Sequence, residues 1–351
     1  MLRRCHAAAL IAIAACRIPD LAFHQPDVVS DATDAGDGGV DAPPAPPSCD
    51  GVGLCGLSGD SCCTSLAVPG GAFYRDHDVA NSPPLSGGLS YPAAISDFRL
   101  DKYDVTVGRF RQFVLAGMGT QLQPPAADAG AHAGFPGSGW DPSWNTSLSA
   151  DTQALIRDIK CSSDQTWTDI PASSADENRP INCLTWYEAM AFCIWDGGYL
   201  PSEAEWNYAA MGGGEQRAYP WSDPAGSLMI DPTYTSFSPD GGTNCSGDGM
   251  QGCSVTDMVP VGTLPKGNGR WGHSDLAGNV YQWVFDWSTV YGSACDGGCP
   301  DSAAPSGADP LRAMRGGAFV YGADKLRGGA RSNSAPWKRN YIIGTRCARP
   351  M

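Results

Sequence analysis

The sequence predicts a compact, loop-rich domain of short helices and strands, stapled by disulfides. Two capping boxes, Thr185 with Glu188 and Ser202 with Glu205, mark helix starts within residues 179–214. Glycine (44) and proline (28) are abundant while only 17% of residues are charged, a balance that suits irregular connections better than a helical bundle. Fourteen cysteines exceed what a reduced cytosol explains, and no zinc spacing accounts for them.

Taken in order, residues 1–16 (MLRRCHAAALIAIAAC) place basic Arg3-Arg4 before an apolar run too short to span a bilayer. Ile13-Ala14-Ala15-Cys16 resembles a bacterial lipobox, which makes Cys16 the lipidated first residue of the mature protein. The other reading is an ordinary signal peptide with a chance cysteine, and Arg3-Arg4 also offers a weak match to a twin-arginine signal. The expected setting is the bacterial cell envelope, periplasm or surface, with membrane contact through the lipid alone. Residues 17–48 are rich in Asp, Ala, Gly and Pro and bury too little to offset chain entropy, so they read as an acidic flexible linker. Much of the net charge of −14 lies there, and nucleic acid is not an expected partner. Residues 49–66 form a cysteine-rich segment whose bridges among Cys49, Cys55, Cys62 and Cys63 stay open.

The main domain spans 67–351. Phe98, Leu100 and Tyr103 suit a strand edge, and Thr106 can cap a helix whose face carries Val107, Phe110, Phe113 and Val114 up to Gly117. Residues 118–150, rich in Pro, Gly and Ala, read as a surface insertion. The first boxed helix runs through Tyr187, Met190, Phe192 and Ile194 to Gly197-Gly198. The second runs through Trp206 and Tyr208 to Gly212. Residues 223–258 are a long irregular stretch with Asn244, Cys245 and Cys253.

WYEAMAFCIWDGGYLPSEAEWNYAAMGG resembles the central run of the formylglycine-generating enzyme, or sulfatase-modifying-factor, family. VPGGAFYRDHD, FRLDKYDVTVGRFRQFV, the VPVGTLPKGNGRWGHSDLAGNVYQWVFDW run and the MRGGAF…TRCARP run resemble further family blocks, in family order. The resemblance implies a compact α+β fold related to the C-type-lectin fold.

Catalytic members bind copper(I) with two cysteines, soft ligands that select it. Here the serine and cysteine positions read Ala318, Tyr321 and Leu326, and no cysteine stands between Cys299 and Cys347. Copper and catalytic residues are therefore not expected. The resemblance implies a Cys193–Cys347 bridge; Cys161–Cys183, Cys245–Cys253 and Cys295–Cys299 are the local pairings expected beside it. It also implies calcium, held by Asp275, Gly278, Val280 and Gln282, with Asn244 the candidate for a second site; hard oxygens are what calcium needs. Tyr199 and Thr345 depart from the family's arginine and aromatic residue. The expectation is a non-catalytic binding or structural module for a protein or peptide ligand, its groove lined by Tyr321, Trp337 and Arg339. The alternative is an oxidase or related metal-dependent oxygenase with an unusual ligand set. The iron-using relatives carry an added three-histidine domain, and the histidines here are scattered.

Overall fold

A computed structural model describes residues 45–80, 91–288, 301, 303–304 and 310–351. Cys16, Cys295 and Cys299 lie outside them. No helix of the described residues is long and apolar enough to cross a membrane.

The chain enters through β1 (Leu54–Cys55) and β2 (Asp60–Ser61), an antiparallel pair. Cys55–Cys62 closes this hairpin and Cys49–Cys63 closes the loop around it. Leu54 and Leu57 stay exposed, so cross-links hold the segment together with only a small cluster of Cys55, Cys62, Tyr103 and Val261 beneath it. It is moored to the domain by Arg109, whose Nε donates to Ser48 Oγ at 2.9 Å and whose Nη1 donates to Asp101 at 2.8 Å.

β3 (Ser65–Val68), β4 (Gly71–Tyr74), β5 (Pro92–Ile95) and β6 (Phe98–Asp101) come next. β3 pairs with β6 and β4 with β5, both antiparallel. Phe98 and Leu100 share one face of β6, as two-residue alternation requires, and both are buried. α1 (Val107–Leu115) begins where Thr106 Oγ1 accepts the N–H of Arg109 at 3.2 Å. Its Val107, Phe110, Phe113 and Val114 enter the core.

Residues 118–150 correct the expectation of a surface insertion. Trp140 and Leu148 are buried, and Trp144 stands edge-on to Trp186 with ring centres 5.2 Å apart. Their Pro/Gly/Ala context conceals Phe135, Trp140 and Trp144, aromatic anchors that pin an otherwise irregular segment to the core. The short helices α2 (Thr152–Asp158) and α3 (Ser174–Glu177) are capped by Asp151 and Ser173.

α4 (Trp186–Trp195) and α5 (Glu203–Ala210) carry both capping boxes. In the first, Glu188 N donates to Thr185 Oγ1 at 3.2 Å and Thr185 N to Glu188 Oε2 at 3.1 Å. In the second, the matching distances for Glu205 and Ser202 are 3.1 and 2.8 Å. Trp186 through Cys193 are all buried, which places most of α4 inside the domain rather than on a face of it.

β7 (Tyr281–Trp287), β8 (Arg312–Arg315), β9 (Ser332–Ser334) and β10 (Ile343–Thr345) form a mixed sheet in the order β10–β7–β8–β9, with β10 parallel to β7. α4 is stitched to it: the indole of Trp186 donates to Val284 O and that of Trp283 to Leu184 O. β11 (Ala348–Pro350) leaves this sheet and joins β6, giving the order β11–β6–β3. Cys193 on α4 and Cys347, between β10 and β11, are bridged, as are Cys161–Cys183 and Cys245–Cys253. Short helices packed beside separate, largely antiparallel sheets make this an α+β fold.

Candidate functional site

Leaving β8, the chain turns at Gly316 (φ 96) and Gly317 (φ 72). Neighbouring atoms of Lys325 and Leu326 force the turn tight: a Cβ on Gly317 would lie 2.7 Å from Leu326 Cδ1 and 2.8 Å from Lys325 O. Ala318 is wholly buried, and the next amide, Phe319 N, donates to Asn279 O at 3.0 Å. Leu326 is also buried and packs in a cluster with Tyr219, Phe237 and Ala277. Tyr321 is half-buried, 5.5 Å from the ring of Tyr281. The three positions are thus filled by apolar and aromatic packing, with no donor set among them for a soft metal.

Trp337 and Arg339 sit on the turn between β9 and β10. Trp337 is 63% exposed. Arg339 is engaged: its guanidinium donates to both oxygens of Glu188, to Cys183 O at 3.0 Å and to Ser149 Oγ at 3.2 Å. Expected as a groove residue, Arg339 instead completes the charge balance of the α4 cap, and its cation is spent there.

The loop before β7 bends through left-handed residues at Asp275, Gly278 and Asn279. Gln282 then turns inward, and its Oε1 accepts from Trp206 Nε1 at 2.6 Å and from Arg346 Nε at 2.8 Å. Indole and guanidinium can only donate, so they fix which end of the amide is oxygen. The Nε2 end donates to Asp275 O at 2.8 Å. Arg346 is fully buried, and its five N–H groups meet Gln282 Oε1, Asp101 O, Lys102 O, Asp104 Oδ1 and Ser274 O. Asp275 Oδ2 accepts from Gly262 N at 2.8 Å, and burial pushes this carboxyl up to about 6.

Of the residues expected to hold calcium, Gln282 has no oxygen to spare. The oxygen of Gln282 already serves two donors, the carbonyl of Asp275 serves the same glutamine's amide, and a guanidinium stands where a second cation would be repelled. Gly278 and Val280 retain structural places, the first because a Cβ would lie 2.1 Å from Thr235 Oγ1 and the second in the core. Asn244 is likewise occupied: its Oδ1 accepts from Gly252 N and its Nδ2 donates to Asp240 Oδ2. Asp240 collects hydrogen bonds from the amides of Asn244 and Thr243 and from Asn244 Nδ2, which hold its carboxyl down to about 2.

A second buried cluster escaped sequence reasoning. Glu203, at the first turn of α5, accepts from Arg315 Nε at 2.8 Å and from Arg331 Nε and Nη2, each at 2.6 Å. Burial opposes its charge, but the two guanidiniums prevail and hold its carboxyl below the usual range. Arg315 also pairs with Asp76, and Asp286 takes the amide of Glu203, burial pushing Asp286 up to about 6. In the sequence, Arg315 and Arg331 stand within the MRGGAF…TRCARP run, with nothing there to mark them as partners of Glu203.

The model of the sulfatase-modifying factor enzyme 1-like domain matches residues 58–351. The chain belongs to that family. Among sulfatase-modifying-factor relatives, the formylglycine-generating enzyme of Bos taurus is 28% identical over 306 residues, covering 81% of this chain and 74% of that protein. The inactive C-alpha-formylglycine-generating enzyme 2 of Mus musculus is 30% identical over 178 residues, 48% of each chain. PvdO from Pseudomonas aeruginosa shares the fold, with a TM-score of 0.52 at 22% identity over 82% of this chain and 94% of that one.

Proposed function

We propose that this sulfatase-modifying-factor protein is an exported, lipid-anchored binding or structural module that does not oxidise cysteine. One observation carries the reading: Ala318, Tyr321 and Leu326 stand where catalytic relatives place a serine and two cysteines, and Ala318 and Leu326 are sealed in apolar packing. All ten described cysteines are cross-linked, so none of them offers a thiolate. A relative that carries the word inactive in its name agrees with this reading. Extensive disulfides and the basic-apolar start ending at Cys16 support export with a lipid on that cysteine. The ligand is a protein or peptide, met at the exposed Trp337 or at the half-buried Tyr321.

The test is direct. Purified protein is given copper, oxygen and a Cys-x-Pro-x-Arg peptide, and the peptide is followed by mass spectrometry. The cysteine is expected to stay unmodified; conversion to the aldehyde would overturn the proposal. In cells, Cys16→Ser is expected to move the protein out of the membrane fraction.

A further inference from the structure

A cavity of about 370 Å³ opens between the start of β6, the loop 131–134, Tyr199 and the end of β11. None of its lining residues belongs to the 316–331 loop or to the Asp275 loop, and its volume falls in the range of small-ligand sites. Phe98, Ala131, Ala133 and Pro350 supply apolar wall; Asp97 and Asp301 supply charge. Among the described residues, no lysine or arginine lines it.

Asp301 is only 6% exposed, yet its partners among the described residues are neutral. Oδ1 accepts from Ser96 N at 2.6 Å and Oδ2 from Ser96 Oγ at 2.7 Å. A carboxylate has room for about four hydrogen bonds, so acceptor capacity remains on the cavity side. The neighbouring donors are spent elsewhere. Tyr199 gives its hydroxyl to Glu205 at 2.7 Å. His132 Nδ1 accepts from Gly134 N at 2.9 Å, so in the neutral ring Nε2 carries the hydrogen and gives it to Glu205 at 3.2 Å. Gly134 leaves the carboxylate uncovered: a Cβ there would lie 2.7 Å from Asp301 Oδ2. Among the described residues, the one titratable cation beside Asp301 is His132; burial opposes its charge, but its bond to Glu205 and the charges of Glu205 and Asp301 outweigh burial and raise its pKa. That single imidazole faces two carboxylates, so a cationic ligand lowers the cost of the buried charge.

We propose that this cavity binds a small organic cation, a primary ammonium on a short apolar body, with Asp301 and Asp97 taking the charge and Phe98 and Pro350 the body. The proposal stands independently of whether the chain oxidises cysteine. Titration calorimetry of the full chain with phenethylammonium, and with 2-phenylethanol as its uncharged counterpart, tests it. Saturable binding of the ammonium and none of the alcohol is expected. Asp301→Asn should weaken binding by at least about tenfold, the worth of one charge-assisted bond. Gly134→Ala should abolish it. Asp97→Asn, which keeps a side-chain oxygen for the amide of Gly70, should weaken it severalfold. Equal binding of the alcohol, no saturation with the ammonium, or an Asp97→Asn protein that binds as tightly as the parent would overturn the proposal.

Discussion

The Nε–H of Arg346 reaches the side-chain oxygen of Gln282 at 2.8 Å, and this contact places a permanent cation inside the loop that opens β7. The guanidinium gathers carbonyl and carboxylate oxygens from β6, from the residues after it and from the Asp275 loop. Because Gln282 Oε1 already serves two donors, chelator is expected to leave the melting temperature unchanged within about 1 °C; only an ion bound to the folded state stabilises it by mass action. A clear fall in the melt on adding EGTA, restored by calcium, would show that the loop opens to admit the ion.

Removing that cation should be expensive. Arg346→Ala takes that donor from Asp104 Oδ1 and from the carbonyls of Asp101, Lys102 and Ser274, and a buried acceptor left unsatisfied costs about 1–3 kcal/mol. Arg346→Lys should recover little of this, because a compact ammonium cannot reach acceptors laid out for a planar fork. Urea unfolding of both variants measures the difference. A lysine variant as stable as the parent would mean that charge alone matters.

Stability should fall as pH rises from about 4 to 8. Burial pushes Asp104 up to about 8, with the Asp275 charge adding to the effect and Arg346 opposing it. Unfolded aspartate titrates near 3.9. Between those values the native state holds a proton that the unfolded chain has lost. The contribution is therefore complete below the unfolded value and gone once pH passes the folded one. Asp275 and Asp286, both pushed up to about 6 by burial, act in the same sense over a narrower window. Asp104→Asn should flatten the slope by up to about 1.4 kcal/mol per pH unit. Urea midpoints at pH 5 to 8 that do not change on substitution would remove Asp104 from this role.

The Cys193–Cys347 bridge closes a separation of 154 residues, against 14 for Cys49–Cys63. Chain entropy then assigns the first about 4–5 kcal/mol and the second about 3. Replacing Cys193 and Cys347 together by alanine should cost the domain most of its stability. The Cys49/Cys63 double variant should lose less, with the change confined to residues 45–66. Hydrogen exchange resolves the two patterns, and equal loss across the domain in both variants would contradict an entropic origin for the difference.

The capping boxes at Thr185 and Ser202 were readable because each links groups within four residues. The family blocks carried the fold for the same reason that they carried Cys193 and Cys347, whose positions are set within short motifs. Gln282 shows where such reading stops. Its oxygen was visible in the sequence, but the donors that claim it come from Trp206 and Arg346, 76 and 64 residues away. Arg339 failed likewise: an exposed-looking basic turn residue belongs to Glu188, 151 residues earlier. Residues 118–150 misled by composition, since abundant Pro, Gly and Ala conceal aromatic anchors that composition cannot place.

The pairing of β11 with β6 sets the order in which this chain can become stable. Leu100 meets its partner Ala348 across nearly the whole length of the described domain, and β10 lies beside β7 in parallel. Such contacts give the topology a high contact order, and loop closure must precede the energy that rewards it. A nascent chain therefore cannot complete the β11–β6–β3 sheet until residues 348–350 arrive. Until then β6 presents an unpaired edge, which makes the late interval of synthesis the time when the chain most needs a holdase.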